Sequence, residues 1–393
     1  MSIANFQFAP MPHIHFGWGI RQQLIEHLQT HYTGRIVLIT GAFLSRPAQF
    51  GQVMRDALLE SNRHVDHFTV SGEPSPELVD YIVAQCKTDT QVVVGMGGGS
   101  VLDAAKAIAG LIPSQTSVMD YLEGVGAGKP FNVQTCPFIA VPTTAGTGSE
   151  TTKNAVLSRL GEFKKSFRDN KLLAKEAWLD PELLKTCPKE VLYSTGMDAF
   201  TQLLESYTTL KPSPITDALA WQGMTLFKGA FEDIDSDDRT RQQNGYSNLM
   251  LAASLSGTTL ANAGLGAVHG LAGPIGAFFD APHGIVCAKL LAPITAANIE
   301  TLLATTPQAQ TIHKYQQIGR LFNPELNEDQ ALSGLLKTLA SYAQTYTPQG
   351  LAEYGLSMDN IEPVIKHCRS GSMLGNSVKL SDEQLVCAIQ KSI

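Results

Sequence analysis

Hydrophobic positions in the first 180 residues follow two alternating rhythms. Short β-branched runs at 35–40, 65–70, 91–95 and 137–141 read as strands, and between them 20–30, 47–61, 76–88 and 101–111 repeat apolar residues at helical spacing. Strand and helix in alternation predict a parallel sheet covered on both faces. Beyond Asp180-Pro181-Glu182-Leu183 the strand rhythm stops. Amphipathic or wholly apolar segments follow at 189–209, 214–231, 242–263, 268–279 and 285–300, with two or three more before Ile393. The expected fold is an α/β domain over 1–184 and an all-helical domain over 185–393.

Charge narrows the function classes. A net charge of −7 with no Lys/Arg block disfavours nucleic-acid binding. With 44% hydrophobic and 17% charged residues, the 393-residue chain fits a compact enzyme and not a disordered one. The most apolar stretch, 249–279, is interrupted by Asn262, His269 and several glycines, so it reads as a buried helix pair and not a membrane span. Met1 to Gln7 lack the basic and apolar regions of a signal peptide. The six cysteines form no CxxC pair, which gives neither a zinc ribbon nor a disulfide framework and points to a reducing cytoplasm.

Three segments carry candidate chemistry. Gly95-Met96-Gly97-Gly98-Gly99-Ser100 falls where a strand gives way to a helix. Glycines there let backbone approach a pyrophosphate, and the helix N-terminus favours negative charge. The same loop also reads as a plain tight turn, with Asp103 as a helix-dipole partner and Lys106 as a surface charge. Pro142-Thr143-Thr144-Ala145-Gly146-Thr147-Gly148-Ser149-Glu150 packs four hydroxyls and two glycines after a buried strand, a density that favours a ligand site over a helix cap. Finally, Asp198 and Gln202, spaced i, i+4 on one helix face, together with His269 and His283 offer the mixed oxygen and nitrogen donors of a divalent metal. The other eight histidines read as ordinary surface or core residues.

These motifs, with Asp180-Pro-Glu-Leu, Thr195-Gly-Met-Asp-Ala and Pro282-His-Gly, resemble the iron-containing (group III) alcohol dehydrogenases, from Phe16-Gly-Trp-Gly19 to about Pro293. The resemblance implies the dehydroquinate synthase-like fold, with NAD or NADP and a divalent metal, Fe2+ or Zn2+, in a cleft between the two domains. By position it implies that Gly97, Gly98, Gly99, Ser100 and Asp103 contact pyrophosphate or nicotinamide ribose. Thr143, Thr144, Thr147, Ser149, Asn154 and Lys164 would grip the rest of the cofactor. Asp198, Gln202, His269 and His283 match the metal positions, and the activity implied is hydride transfer between an alcohol carbon and nicotinamide.

The chain departs from that pattern at three places. Gly41 stands where NAD-preferring members place an Asp, so tolerance of NADP is expected, with Ser45 and Arg46 available to a 2′-phosphate. Gln202 replaces a metal-binding His and is either a neutral fourth ligand or an outer group. Gly273 replaces a His near the nicotinamide and widens the cleft, which suggests a polyhydroxylated substrate such as a sugar acid, with 8-oxidation of 3-deoxy-octulosonate as one candidate. The competing readings are a short-chain alkanol or diol dehydrogenase, an enzyme of the dehydroquinate synthase or glycerol-1-phosphate dehydrogenase type, and a non-catalytic nucleotide-binding sensor. The expected setting is a cytoplasmic homodimer acting on a small alcohol or aldehyde, with no nucleic-acid or membrane partner.

Overall fold

The computed structural model describes residues 5–393; the first four, part of the segment read above as no signal peptide, lie outside the described residues. Eight strands and four helices build the first half. In chain order these are β1 (His13–Phe16), α1 (Arg21–His31), β2 (Arg35–Gly41), α2 (Phe50–Glu60), β3 (His64–Val70), α3 (Pro76–Gln85), β4 (Thr90–Gly97) and α4 (Gly99–Leu111), then β5 (Phe138–Pro142), β6 (Asn154–Arg159), β7 (Phe163–Arg168) and β8 (Glu176–Leu179). Six strands pair in parallel in the order β1-β8-β5-β4-β2-β3. The four strands expected from β-branched runs are β2 to β5. Their buried side chains feed two cores, one on each face of the sheet: Val37, Ile39 and Val93 on one side, Ile36, Leu38, Val92 and Val94 on the other.

The strands without a hydrophobic signature are held by tertiary contacts. β1 alternates His13 and His15 with apolar residues, and β8 opens on the buried Glu176, which meets His15 at 3.3 Å and His27 at 3.1 Å. β6 and β7 form a separate antiparallel hairpin whose Ala155, Leu157, Phe163 and Phe167 pack into the core that α4 occupies.

The second half is helical: α5 (Lys189–Tyr207), α6 (Pro214–Phe227), α7 (Ala230–Ile234), α8 (Arg239–Ala263), α9 (Ala267–Phe279), α10 (His283–Thr305), α11 (Gln310–Phe322), α12 (Glu328–Tyr346), α13 (Glu362–His367) and α14 (Asp382–Gln390). The segment expected as one helix over 214–231 is two, because Gly229 takes a left-handed φ of 79° between α6 and α7. Four helices, not two or three, follow α10. By length and composition α10 is apolar enough to cross a membrane. Its Val286, Leu290, Leu291 and Ile294 are instead buried in the helical core, whose packing accounts for the apolar sequence.

The carboxyl ends of β4 and β5 are adjacent, with Gly97 beside Pro142, so the two loops of candidate chemistry emerge side by side. This is the end of a parallel sheet at which ligands bind. The second loop is pressed against α8: a Cβ on Gly257 would lie 2.2 Å from the Gly148 carbonyl oxygen and 2.4 Å from Thr151 Oγ1. Neither the loop backbone nor the helix can yield cheaply. Gly257→Ala is therefore expected to cost about 1–3 kcal/mol of stability, the usual range for overpacking, read as a lowered denaturation midpoint. An unchanged midpoint would show that this contact does not constrain the loop.

Candidate active site

The glycines after β4 are needed first for the two loops to touch. A Cβ on Gly99 would sit 2.6 Å from Thr147 Oγ1, and one on Gly98 would sit 3.2 Å from Thr144 Cγ2. Thr143 N–H donates to the Gly97 carbonyl at 2.9 Å, which fixes the register of the loops. The N-cap of α4, Gly98, offers no side chain to the first turn of the helix, so the N–H groups around Gly99 and Ser100 lack a side-chain cap. That geometry suits a phosphate. Thr143, Thr144 and Thr147 are half-buried beside it, and Asn154 Oδ1 is a buried acceptor with no partner among the described residues.

Asp103 and Lys106 are structural in a way their sequence did not announce. Asp103 Oδ1 accepts from Ser149 Oγ at 2.5 Å and Oδ2 accepts from Val156 N–H at 3.0 Å, so both carboxylate oxygens already hold protein. Burial raises the Asp103 pKa, against the pull of nearby Lys106. Lys106 is no surface charge. It is fully buried, and its Nζ donates to Ser149 O, Ser149 Oγ, Thr152 Oγ1 and Asn154 O at 2.8–3.1 Å. Desolvation lowers its pKa while Asp103 and Glu150 oppose that shift. Together the pair pins the hydroxyl-rich loop to α4.

Gly41 ends β2, and the turn after it is exposed. There Ser45 Oγ donates to the Ala42 carbonyl at 2.9 Å and the Arg46 guanidinium lies 5.6 Å over the Phe43 ring. Lys164 on β7 pairs with Glu73 and reaches toward α9, where a Cβ on Gly276 would lie 3.9 Å from its Nζ. Gly273, one turn earlier on α9, faces open space within 4 Å.

The metal candidates converge from three helices. His269 Nε2 (α9) lies 3.0 Å and His283 Nε2 (first residue of α10) 3.7 Å from Asp198 Oδ1 (α5). A fourth donor joins them: Cys287 Sγ is 3.6 Å from His269 Nε2 and 3.7 Å from His283 Nε2, and one ligand atom from each of the four lies within 4.8 Å of all the others. Asp198 and His269 side chains are 2% and 6% exposed but His283 is 27% exposed, so the cluster opens to solvent on the His283 side.

Gln202 takes the outer place. Its Oε1 accepts from Ser256 Oγ at 3.0 Å, and its Nε2 faces Asp198 Oδ1 at 3.5 Å. Ser256 Oγ also lies 3.3 Å from the Gly146 carbonyl, so Gln202 and Ser256 together link Asp198 to the hydroxyl-rich loop. Behind His269, Glu205 Oε2 accepts from Nδ1–H at 2.7 Å and Oε1 from the Val268 N–H at 2.7 Å. This fixes the ring so that Nε2 of His269 faces the cluster.

Electrostatics follow from burial and neighbours. Desolvation opposes charge on Asp198, but His283 and His269 beside it bring its pKa down to about 2. Burial pushes His283 down to about 4 despite Asp198. On His269 burial is outweighed by Cys287, Asp198 and Glu205, and its pKa rises well above the ordinary value. Burial pushes the Cys287 thiol up to about 12.

Cys287, Glu205 and Ser256 were missed from sequence. Two carried a signal: Cys287 follows His283 by four residues, and Glu205 follows Asp198 by seven, both helical repeats of a candidate ligand. Ser256 carried none, since only tertiary packing brings α8 to this point.

Comparison with known proteins agrees with this geometry. Residues 11–181 match the family model "Iron-containing alcohol dehydrogenase", and residues 192–393 match "Fe-containing alcohol dehydrogenase family, C-terminal". Alcohol dehydrogenase 4 of Saccharomyces cerevisiae is 28% identical over 100% of this chain and 99% of its own length. Long-chain-alcohol dehydrogenase 1 of Geobacillus thermodenitrificans is 34% identical over 74% of this chain and 72% of its own. Among solved structures, sulfoacetaldehyde reductase from Bifidobacterium kashiwanohense in complex with NAD+ superimposes with a TM-score of 0.84 at 25% identity, covering 99% of both chains.

Glu205 offers a direct test of the outer shell. Glu205→Gln keeps the side-chain volume but replaces a two-oxygen acceptor of two N–H donors with a group that must turn an NH2 toward one of them. Metal affinity is expected to fall ~10–100-fold, the cost typical of such outer contacts, with the circular-dichroism spectrum unchanged. Competition against a chelator of known affinity measures it, and unaltered affinity would show that Glu205 does not position His269.

Proposed function

We propose that this chain, which belongs to the iron-containing alcohol dehydrogenase family and is a metal-dependent oxidoreductase, interconverts an alcohol with an aldehyde or ketone by hydride exchange with NAD or NADP. One observation carries the reading. The cluster of Asp198, His269, His283 and Cys287 donors is linked through two side chains, Gln202 and Ser256, to the loop that faces the N-terminus of α4. Metal and dinucleotide would then act on one substrate. The cofactor-binding half would end near residue 184, between β8 and α5.

The donor set fits a divalent cation. Two imidazoles and one carboxylate on three helices suffice for Fe2+ or Zn2+, and a metal held there supplies Lewis acidity toward the substrate's oxygen. The chain's own residues do the rest. Glu205 keeps the His269 ring oriented, and Ser256 with Gln202 holds the Asp198 carboxylate against the loop. The close-set glycines Gly97–Gly99 and the threonines opposite them position the cofactor so that its reactive carbon meets the substrate. Asn154 Oδ1 stands ready as an acceptor. The NAD+ complex of the Bifidobacterium reductase supports a nicotinamide cofactor here.

The substrate reading rests on Gly273. With no heavy atom within 4 Å of its added Cβ, the wall beside His269 leaves room for a bulky polyhydroxylated molecule such as a sugar acid. The name of the Geobacillus relative favours a second reading, a long-chain alcohol, which the same space would accommodate. Rates with purified enzyme on alkanols, diols and sugar acids, 3-deoxy-octulosonate included, separate them: best turnover on an alkanol or diol overturns the first.

Two further outcomes test the reading. Gly41 presents no carboxylate to reject a 2′-phosphate, so NADP should be used at least comparably to NAD; a hundredfold preference for NAD in kcat/KM would overturn this. Asp198→Ala, His269→Ala and His283→Ala should each abolish tight metal binding and turnover together, while Gln202→Ala should keep weakened but measurable metal. Full metal occupancy and activity in His283→Ala would mean the site lies elsewhere.

A further inference from the structure

We infer that Cys287 is a protein ligand of the metal, so that the cation is held by one carboxylate oxygen, two imidazole nitrogens and one thiolate sulfur, and that this site takes zinc in preference to ferrous iron. The inference rests on the metal-dependent reading above and adds to it the donor that stands in for the imidazole absent at Gln202.

Geometry carries it. In a tetrahedral zinc centre with Zn–N of 2.0–2.1 Å and Zn–S of 2.3 Å, neighbouring nitrogen and sulfur atoms lie roughly 3.6 Å apart, and nitrogen and oxygen roughly 3.3 Å apart. Cys287 Sγ is 3.6 and 3.7 Å from the two imidazole nitrogens, and Asp198 Oδ1 is 3.0 and 3.7 Å from the same pair. Four of the six edges of such a tetrahedron are therefore near the expected lengths, and all four atoms lie within 4.8 Å of one another. Gln202 is poorly placed for that role as it lies, since its Oε1 turns to Ser256 and the atom facing Asp198 is Nε2, a donor.

A plain core cysteine does not explain the contacts. Buried free cysteines usually behave as small apolar residues, but here the sulfur faces two imidazole nitrogens at once. A thiol is only a weak donor and a weak acceptor toward these two nitrogens; a cation at the centre would take both nitrogens and the sulfur as ligands. As the Sγ–metal bond forms, the thiol proton leaves to solvent. The placement is also economical in sequence. Cys287 follows His283 by one helical turn on α10, just as Gln202 follows Asp198 by one turn on α5, so the remaining donor has moved from one helix to its neighbour. A soft sulfur donor in place of an imidazole shifts the set toward zinc and away from iron held by harder donors.

The test uses the full-length protein stripped of metal and titrated with Co2+ under anaerobic, reducing conditions. Expected is an intense near-ultraviolet sulfur-to-cobalt charge-transfer band that saturates at one equivalent. It should vanish in Cys287→Ser and persist in Gln202→Ala, with Co2+ affinity in Cys287→Ser falling by at least the ~10–100-fold that an outer-shell change alone costs. The band is read in the parent protein without any variant, and Cys287→Ala repeats the test if Ser disturbs the packing. One equivalent of Co2+ bound in an Asp198-dependent manner without the band overturns the assignment of Cys287 and leaves the metal reading standing. No stoichiometric binding overturns both. A band that persists in Cys287→Ser places the sulfur elsewhere and overturns the assignment. Offered equimolar Zn2+ and Fe2+, the stripped protein should retain zinc, and Cys287→Ser should raise the iron share; predominance of iron in the parent protein overturns the selectivity.

Discussion

One carboxylate oxygen organises the helical half of this protein. Asp198 Oδ1 sits among His269, His283 and Gln202 at 3.0–3.7 Å, on a side chain that is 2% exposed. A charge so deeply buried is costly unless several partners surround it, and the partners come from α9, α10 and its own helix. Each of those helices is otherwise packed by ordinary apolar contacts: Val268, Leu271 and Ile275 on α9, Val286, Leu290 and Leu291 on α10. The apolar core brings the helices together, and the carboxylate dictates which way His269 and His283 must face.

A second constraint couples this centre to the sheet. Ser256 Oγ lies within hydrogen-bond reach of both Gln202 Oε1 and the Gly146 carbonyl, and Gly257, the next residue, admits the Gly148 backbone to close contact with α8. Ser256 and Gly257 on α8 thus set the distance between the hydroxyl-rich loop and the cluster of candidate metal donors. A short buried serine and a missing Cβ are stiffer spacers than a long side chain, because the first has one χ torsion and the second none.

Much of this was legible in the sequence, and the exceptions have physical reasons. β2, β4 and β5 announce themselves because both their faces are buried, so they read as continuous β-branched runs, while β3 at the sheet edge is half-buried and shows a weaker run ending at Val70. β1 and β8 are four residues each; β1 carries an exposed His13 and a half-buried His15, and the burial of Glu176 on β8 makes sense only once His15 and His27 are its neighbours. In the site, Asp198, His269 and His283 stood out through their Gly- and Pro-rich surroundings. Cys287 was set aside because no second cysteine lay near it in sequence, a test suited to zinc ribbons and blind to a ligand one helical turn from a histidine. Lys106 was read as a surface charge because lysine usually is one.

The burial of Lys106 shows what the first half gains from polar groups in its interior. Removing an ammonium group from water is unfavourable by several kcal/mol, and here four acceptors within 2.8–3.1 Å, with Asp103 at 3.6 Å, offset that cost. All four acceptors belong to the stretch from Ser149 to Asn154, and Asp103 takes a further bond from Ser149 and one from Val156. An apolar residue at position 106 would fill the space but remove the ammonium that gathers those carbonyls and hydroxyls, so the loop would be held less firmly to α4. The lysine makes one path much the lowest in energy. The conformation of the hydroxyl-rich loop is thereby fixed by protein groups alone, before any ligand arrives, and binding need not supply the free energy of ordering it.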